Sequence, residues 1–254
     1  MSVTISIARP AHRNLLRSAL LCILPAALAI GVTALHAMTL LGLSAAYLPK
    51  VLAVFSVGAA LVLLGLPTHH PFPSIGPANQ VTVARGVLVA LLAGLVGERM
   101  DTGAPAIATT VAIIVIVLDG LDGWLARRTN LASGFGARFD METDALLTLV
   151  LSMLAWQFGK AGAWVLLSGL LRYAFVGAGT VLRRLRNPLP CSQRRKSIAV
   201  VQMLALVAAI APFVAPALSV PVTAVALMAL IFSFLLDIAW LLQGSTQPRA
   251  VPDL

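Results

Sequence analysis

The segment from Asp119 to Asp144 reads DGLDGWLARRTNLASGFGARFDMETD and gathers five of the chain's nine acidic residues: Asp119, Asp122, Asp140, Glu142 and Asp144. An apolar string, ATTVAIIVIVL, runs into it, and another, ALLTLVLSMLAW, runs out of it. The carboxylates are therefore expected at the ends of two hydrophobic helices joined by a short polar loop. At helical spacing Asp119, Asp122 and Ala126 fall on one face, as do Asp140 and Asp144 on the next helix. A hairpin of the two brings four carboxylates together beside small residues, Gly123 and Ala126, that leave room for a ligand. Carboxylates left uncompensated at a membrane boundary are very costly, so cations belong there. Glu142 lies off the face of its neighbours and is expected to be exposed. Internal ion pairing is the rival explanation, and it needs cationic partners for four carboxylates.

The elements that must position these residues are membrane helices. Of 254 residues 59% are hydrophobic and 11% charged, with a mean hydropathy of +0.96. This composition excludes a soluble domain and points to an all-α polytopic membrane protein. A helix needs roughly 20 apolar residues to cross about 30 Å of hydrocarbon. Runs near 15–37, 50–67, 80–97, 104–126, 137–158, 162–183, 197–215 and 221–243 satisfy this, so eight spans are expected. Arg9, Arg13 and Arg17 before the first run, and ALHA at its end, loosely resemble a signal peptide. The run is longer than the apolar part of such a leader, which favours a retained helix. The Pro-rich stretch HHPFPSIGP, 69–77, divides the chain into a two-helix N-terminal extension (1–76) and a six-helix domain (77–254). Adjacent histidines on a loop are poor chelators without partners, so His69 and His70 are not read as a metal site.

The formal net charge is +9. Arg9, Arg13, Arg17, Arg127, Arg128, Arg183, Arg184, Arg186, Arg194, Arg195, Lys196 and Arg249 fall on one side of the eight-span arrangement, against Lys50, Arg99 and Lys160 on the other. By the positive-inside rule the basic side, both termini and the carboxylate hairpin face the cytoplasm. The expected location is therefore a multi-pass protein of the inner cell membrane, taking substrate from the cytoplasmic side. No aromatic residues interleave the basic patches, so the charge points to anionic lipid or substrate and not to nucleic acid. Cys22 and Cys191 have no ligand spacing and are expected as free thiols.

Written with its spacing, the central motif is D-G-L-D-G-W-L-A-R, eight residues, G, three residues, D, three residues, D. It resembles the signature of the class I CDP-alcohol phosphatidyltransferases at every defining position, and the resemblance runs from about Asn79 to Gln243. It implies an enzyme that moves a substituted phosphate from a CDP-linked lipid, most simply CDP-diacylglycerol, to a small alcohol with release of CMP. Such a transfer requires a diphosphate to be neutralised. Two divalent cations, Mg²⁺ or Mn²⁺, do this with oxygen ligands. By resemblance Asp119, Asp122, Asp140 and Asp144 surround those ions, and Asp144 is also the base for the acceptor hydroxyl. Gly123 and Ala126 let the nucleotide approach the backbone, and Arg127 and Ser133 hold diphosphate or cytidine. The polar lead-in of the first core helix, ANQVTVARG, adds Asn79, Thr82 and Arg85 as nucleotide or diphosphate contacts, although Asn79 fits an N-cap equally well. A homodimer is the assembly the resemblance suggests.

Other cations have two readings. Arg138 fits a diphosphate contact or an interfacial snorkel. Arg172, inside an apolar span, fits a pairing with Asp237 or a substrate role. The run RRLRNPLPCSQRRKS supplies Arg194, Arg195 and Lys196 as candidates for an acceptor phosphate. Family members that use glycerol phosphate commonly have D-P-x-x-D at the third and fourth aspartates; here the stretch is Asp140-Met141-Glu142-Thr143-Asp144. Glycerol 3-phosphate is the first acceptor expected, with inositol phosphate, serine and an ether-lipid analogue open. Within the family the alternative is an aminoalcohol phosphotransferase using a CDP-alcohol and diacylglycerol. Outside it stand a divalent-cation transporter, whose acidic residues would belong nearer the midplane, and an idle lipid-binding scaffold.

Overall fold

A computed structural model describes residues 8–99, 103–129, 131, 133–187, 189–190 and 192–243, with side chains for all of these except 8–13, 67–69 and 127. The described residues form eight α-helices: α1 (Ala8–Leu41), α2 (Tyr47–His69), α3 (Pro77–Gly94), α4 (Ala104–Thr129), α5 (Gly134–Gln157), α6 (Leu167–Val181), α7 (Gln193–Ile210) and α8 (Pro216–Gln243). Single 3-10 turns at Ala163–Leu166 and Arg183–Arg186 flank α6. The all-α membrane architecture read from the sequence is the one found, with two helices ahead of six.

Five stretches are long and apolar enough to cross a membrane: Asn14–Leu41, Tyr47–Leu66, Ala104–Ala126, Ala163–Val181 and Pro216–Gln243. The others, α3, α5 and α7, fall short because of what they carry. Asn79, Gln80 and Arg85 lie in α3, four charged residues in the first half of α5, and Arg194, Arg195 and Lys196 at the start of α7. The helices that hold the chemistry are the least lipid-like.

The helices form two compact units, Met1–Val150 and Leu151–Leu254. In the first, α1 packs on α2 and α3, α2 on α3, and α3 on α4. Leu15, Ala19 and Ile23 of α1, Val62 and Leu66 of α2, Ile75 and Phe135 make one buried cluster. Where lipid competes for apolar surface, close packing and hydrogen bonds must hold helices together. Gly94 shows the first: a Cβ there would run into Val51 and stand 2.7 Å from the Tyr47 ring. The turn after α3 shows the second. The buried Glu98 carboxylate accepts from the Ser44 amide (2.8 Å), the Ser44 hydroxyl (3.0 Å) and Lys50 Nζ (2.6 Å). Burial alone raises the Glu98 carboxyl, but the bonds from Lys50 and Ser44 outweigh it and hold the group below the ordinary glutamate value.

In the second unit α7 packs along α8. Buried Gln202 donates to Ser168 Oγ at 2.9 Å, and the Ser219 hydroxyl donates to the Lys160 carbonyl at 2.5 Å. Cys22 is a free thiol; Cys191 and Arg249 lie outside the described residues.

Candidate active site

Asp119 and Asp122 end the apolar part of α4, and Asp140 and Asp144 occupy the first half of α5. Helical periodicity turns each pair to one face, and all four meet the same group, the guanidinium of Arg85 on α3. Arg85 Nη1 donates to Asp122 Oδ2 (2.7 Å) and Asp140 Oδ1 (2.5 Å). Its Nη2 lies 2.8 Å from Asp119 Oδ1 and also donates to Asp144 Oδ1. The Arg85 side chain is fully buried. A guanidinium carries five N–H bonds; here both Nη groups are committed, and Nε has no hydrogen-bond partner among the described residues. Arg85 was expected to touch nucleotide or diphosphate; in this structure it is the countercharge of the carboxylate cluster. The cationic partner that four carboxylates need is thus a single planar fork, which spacing within one helix does not reveal.

One guanidinium does not balance four carboxylates. Asp119, Asp140 and Asp144 each place a carboxylate oxygen within 4.8 Å of the others. They are partly open, while Asp122 is buried, accepting from Arg85 and from the Thr82 hydroxyl at 3.1 Å. Excess negative charge, hard oxygen donors and partial exposure are what a divalent cation requires. The three clustered aspartates therefore fit such an ion, and Asp122 stands behind them.

Beside the carboxylates lies a cleft of about 140 Å³, lined among others by Asn79, Thr82, Asp122, Gly123, Ser133 and Asp140. Ala126 and Gly136 also face it. Of the expected nucleotide contacts, Asn79, Thr82, Gly123, Ala126 and Ser133 are thus brought together. Arg85 is not among the lining residues and bonds the carboxylates, and the Arg127 side chain lies outside the described residues. Asn79 is no N-cap: α3 begins at Pro77, and the Asn79 amide donates to Ile75 O at 2.6 Å. That bond sets Asn79 against α5, where a Cβ on Gly136 would lie 2.8 Å from Asn79 Oδ1. At the glycine of the motif, a methyl group would crowd the Asn79 and Ser133 side chains.

The basic candidates fare differently. Arg138 is exposed, as is Glu142. In the second unit Arg194 donates to Ser233 O and Oγ, both at 2.9 Å, and to Asp237 Oδ1 at 2.5 Å. Arg195 Nη1 lies 3.3 Å from the same Asp237 oxygen and its Nη2 donates to Pro190 O. Asp237, considered above as a partner for Arg172, is thus held by Arg194 and Arg195. Lys196 is exposed.

Residues 76–239, more than half of the chain, match the CDP-alcohol phosphatidyltransferase family. The chain belongs to that family. No curated protein and no solved structure matches it. Membership makes the chain a membrane-embedded phosphotransferase of phospholipid synthesis, acting on a CDP-linked alcohol and an alcohol acceptor. The carboxylates, the residues lining the cleft and the small residues beside them all fall within the matched region. His70 and the helices before residue 76 lie outside the matched region.

Proposed function

We propose that the protein transfers the phosphatidyl group of CDP-diacylglycerol to a small alcohol, with glycerol 3-phosphate the first acceptor to test, and releases CMP. The observation that carries this reading is the convergence of Asp119, Asp122, Asp140 and Asp144 beside a cleft lined by Asn79, Thr82, Gly123, Ala126 and Ser133. The nucleotide rests against α4 where Gly123 and Ala126 expose backbone. Asp144 takes the proton of the acceptor hydroxyl. The freed oxygen bonds to the phosphatidyl phosphorus, and the bond from that phosphorus to the CMP oxygen breaks, its electron pair leaving with CMP. Asp119, Asp140 and Asp144, with Asp122, would hold Mg²⁺ or Mn²⁺, which when bound neutralises the diphosphate and the leaving group.

An acceptor phosphate falls to Lys196, Arg195, Arg194 or Arg138, with Arg194 the least available because three bonds already hold it. The same reading places the cleft on the cytoplasmic side of the inner membrane with both termini there, treats 1–76 as an extension of a 77–254 domain, and has the chain act as a homodimer. The test is CMP release from CDP-diacylglycerol by the purified protein in detergent, with Mg²⁺ or Mn²⁺ and a panel of alcohols. Release that depends on both the cation and one alcohol is expected. A protein that releases CMP only from soluble CDP-alcohols in the presence of diacylglycerol would instead be an aminoalcohol phosphotransferase. Asp144→Asn should abolish turnover with little effect on yield; full activity in that variant removes Asp144 as the base.

A further inference from the structure

We propose that His70, which the family match leaves out, is a positioning residue for the nucleotide cleft, acting through the hydroxyl of Ser133; the idea rests on the family reading of that cleft. His70 closes α2 and is buried, 9% exposed. Its Nε2 lies 2.8 Å from Ser74 O, and its Nδ1 lies 3.1 Å from Ser133 Oγ. A carbonyl can only accept, so Nε2 carries the proton; in the neutral ring Nδ1 is then an acceptor. With the ring neutral, the Ser133 hydroxyl therefore donates a hydrogen bond to His70 Nδ1. Its oxygen in turn accepts the Gly136 amide at 3.0 Å, while Ser133 O accepts from the Ala137 amide at 3.0 Å. Ser133 is the N-cap of α5, the helix that carries Asp140 and Asp144. His70 fixes which way that cap points.

Several contacts show that this link is built in. The His70 ring is met edge-on by Phe72 and Phe135, with centroids 5.5 and 5.8 Å away. Phe135 sits in the cluster formed by α1 and α2, and a Cβ on Gly65 of α2 would lie 3.2 Å from its ring. Ser18 Oγ on α1 accepts the Ile75 amide at 2.9 Å, pinning the loop that presents Ser74. The two N-terminal helices thus hold the first turn of α5, and two residues of that region, Ser133 and Gly136, line the cleft. A histidine that only filled space would need neither the polar chain nor its direction.

The test uses full-length protein in detergent: wild type, His70→Ala, Ser133→Ala and the double variant. Each is titrated with CDP in the presence of Mn²⁺ and assayed for KM and kcat with CDP-diacylglycerol. Loss of one such hydrogen bond is expected to weaken CDP about five- to tenfold. KM should rise in step while kcat changes little, and the double variant should be no worse than Ser133→Ala. Effects that multiply in the double variant, or a folded His70→Ala with wild-type CDP affinity, overturn the proposal. If His70→Ala does not fold, His70→Asn and His70→Gln decide. Asn keeps an amide near the Nδ1 position and should retain CDP affinity, Gln places its amide near Nε2 and should lose it, and equal affinities overturn the idea. A wild type that neither binds CDP nor releases CMP is a different result: it removes the family reading of the cleft, and this proposal with it.

Discussion

At the scale of single residues, Arg85 sets the terms. Four N–H···O contacts from one planar cation hold carboxylates that belong to two helices. Lysine has a point charge and no fork, so Arg85→Lys cannot reproduce the arrangement. Arg85→Met leaves four carboxylates facing one another, and loss of one partner of a buried ion pair costs about 3–5 kcal/mol. A divalent ion bound to Asp119, Asp140 and Asp144 would relieve much of that repulsion. Thermal unfolding in detergent should therefore show Arg85→Met strongly destabilised in EDTA and largely recovered by Mn²⁺, whereas the wild type gains less. No stabilisation of either protein by Mn²⁺ would mean that the aspartates do not share a cation. The carboxylate set was legible in the sequence because helical spacing alone puts Asp119 with Asp122 and Asp140 with Asp144. Their pairing with Arg85 was not, since spacing within a helix says nothing about which neighbour it faces. The available signal was a lone cation in an apolar helix, which must find a polar partner.

At the scale of elements, two contacts lie near the ends of α3. Gly136 lies in the first turn of α5 against Asn79, which is itself tied to Ile75 O. Gly136→Ala brings a methyl group 2.8 Å from Asn79 Oδ1 and 3.3 Å from Ser133 Oγ, and overpacking of this kind costs about 1–3 kcal/mol. The helix should survive with its first turn displaced: CDP affinity falling about tenfold with an unchanged far-ultraviolet spectrum is the expected pair of results. The motif fixes a glycine here, and the Asn79 and Ser133 side chains beside it supply the reason. The second contact is Glu98 with Ser44 and Lys50, at the other end of α3. The Glu98 carboxyl titrates lower folded than unfolded. Its contribution is therefore complete above the ordinary glutamate range, about pH 4.3, and fades as pH falls through the lower folded value. Melting temperature followed downward through this window should drop more steeply in the wild type than in Glu98→Gln, which starts lower because Lys50 and Ser44 have lost their acceptor. Parallel slopes would show that the bonds do not discriminate between the two states of the acid.

At the scale of the whole molecule, the distribution of charge makes a statement about sidedness. Eight helical runs are countable in the sequence, although only five of the described helices are long and apolar enough to cross a membrane. Their ends were less legible: α1 begins at Ala8 and α2 at Tyr47, both ahead of the apolar runs near 15 and 50, because a helix extends past the hydrocarbon wherever its backbone bonds are satisfied. Basic residues are held back on the cytoplasmic side during insertion, and each Lys or Arg near an anionic leaflet adds about 1 kcal/mol of attraction. The segment between α6 and α7 is rich in arginine, while the segment between α3 and α4 carries Arg99 with Glu98 and Asp101. The two should lie on opposite faces. With Cys22 and Cys191 replaced by serine, Ser192→Cys should react with a membrane-impermeant maleimide only after permeabilisation, and Gly103→Cys, at an exposed position with nothing within 4 Å of its Cβ, should react in intact cells. Reversed labelling would put the basic segments outside, and with them the carboxylate hairpin, against the sidedness proposed above.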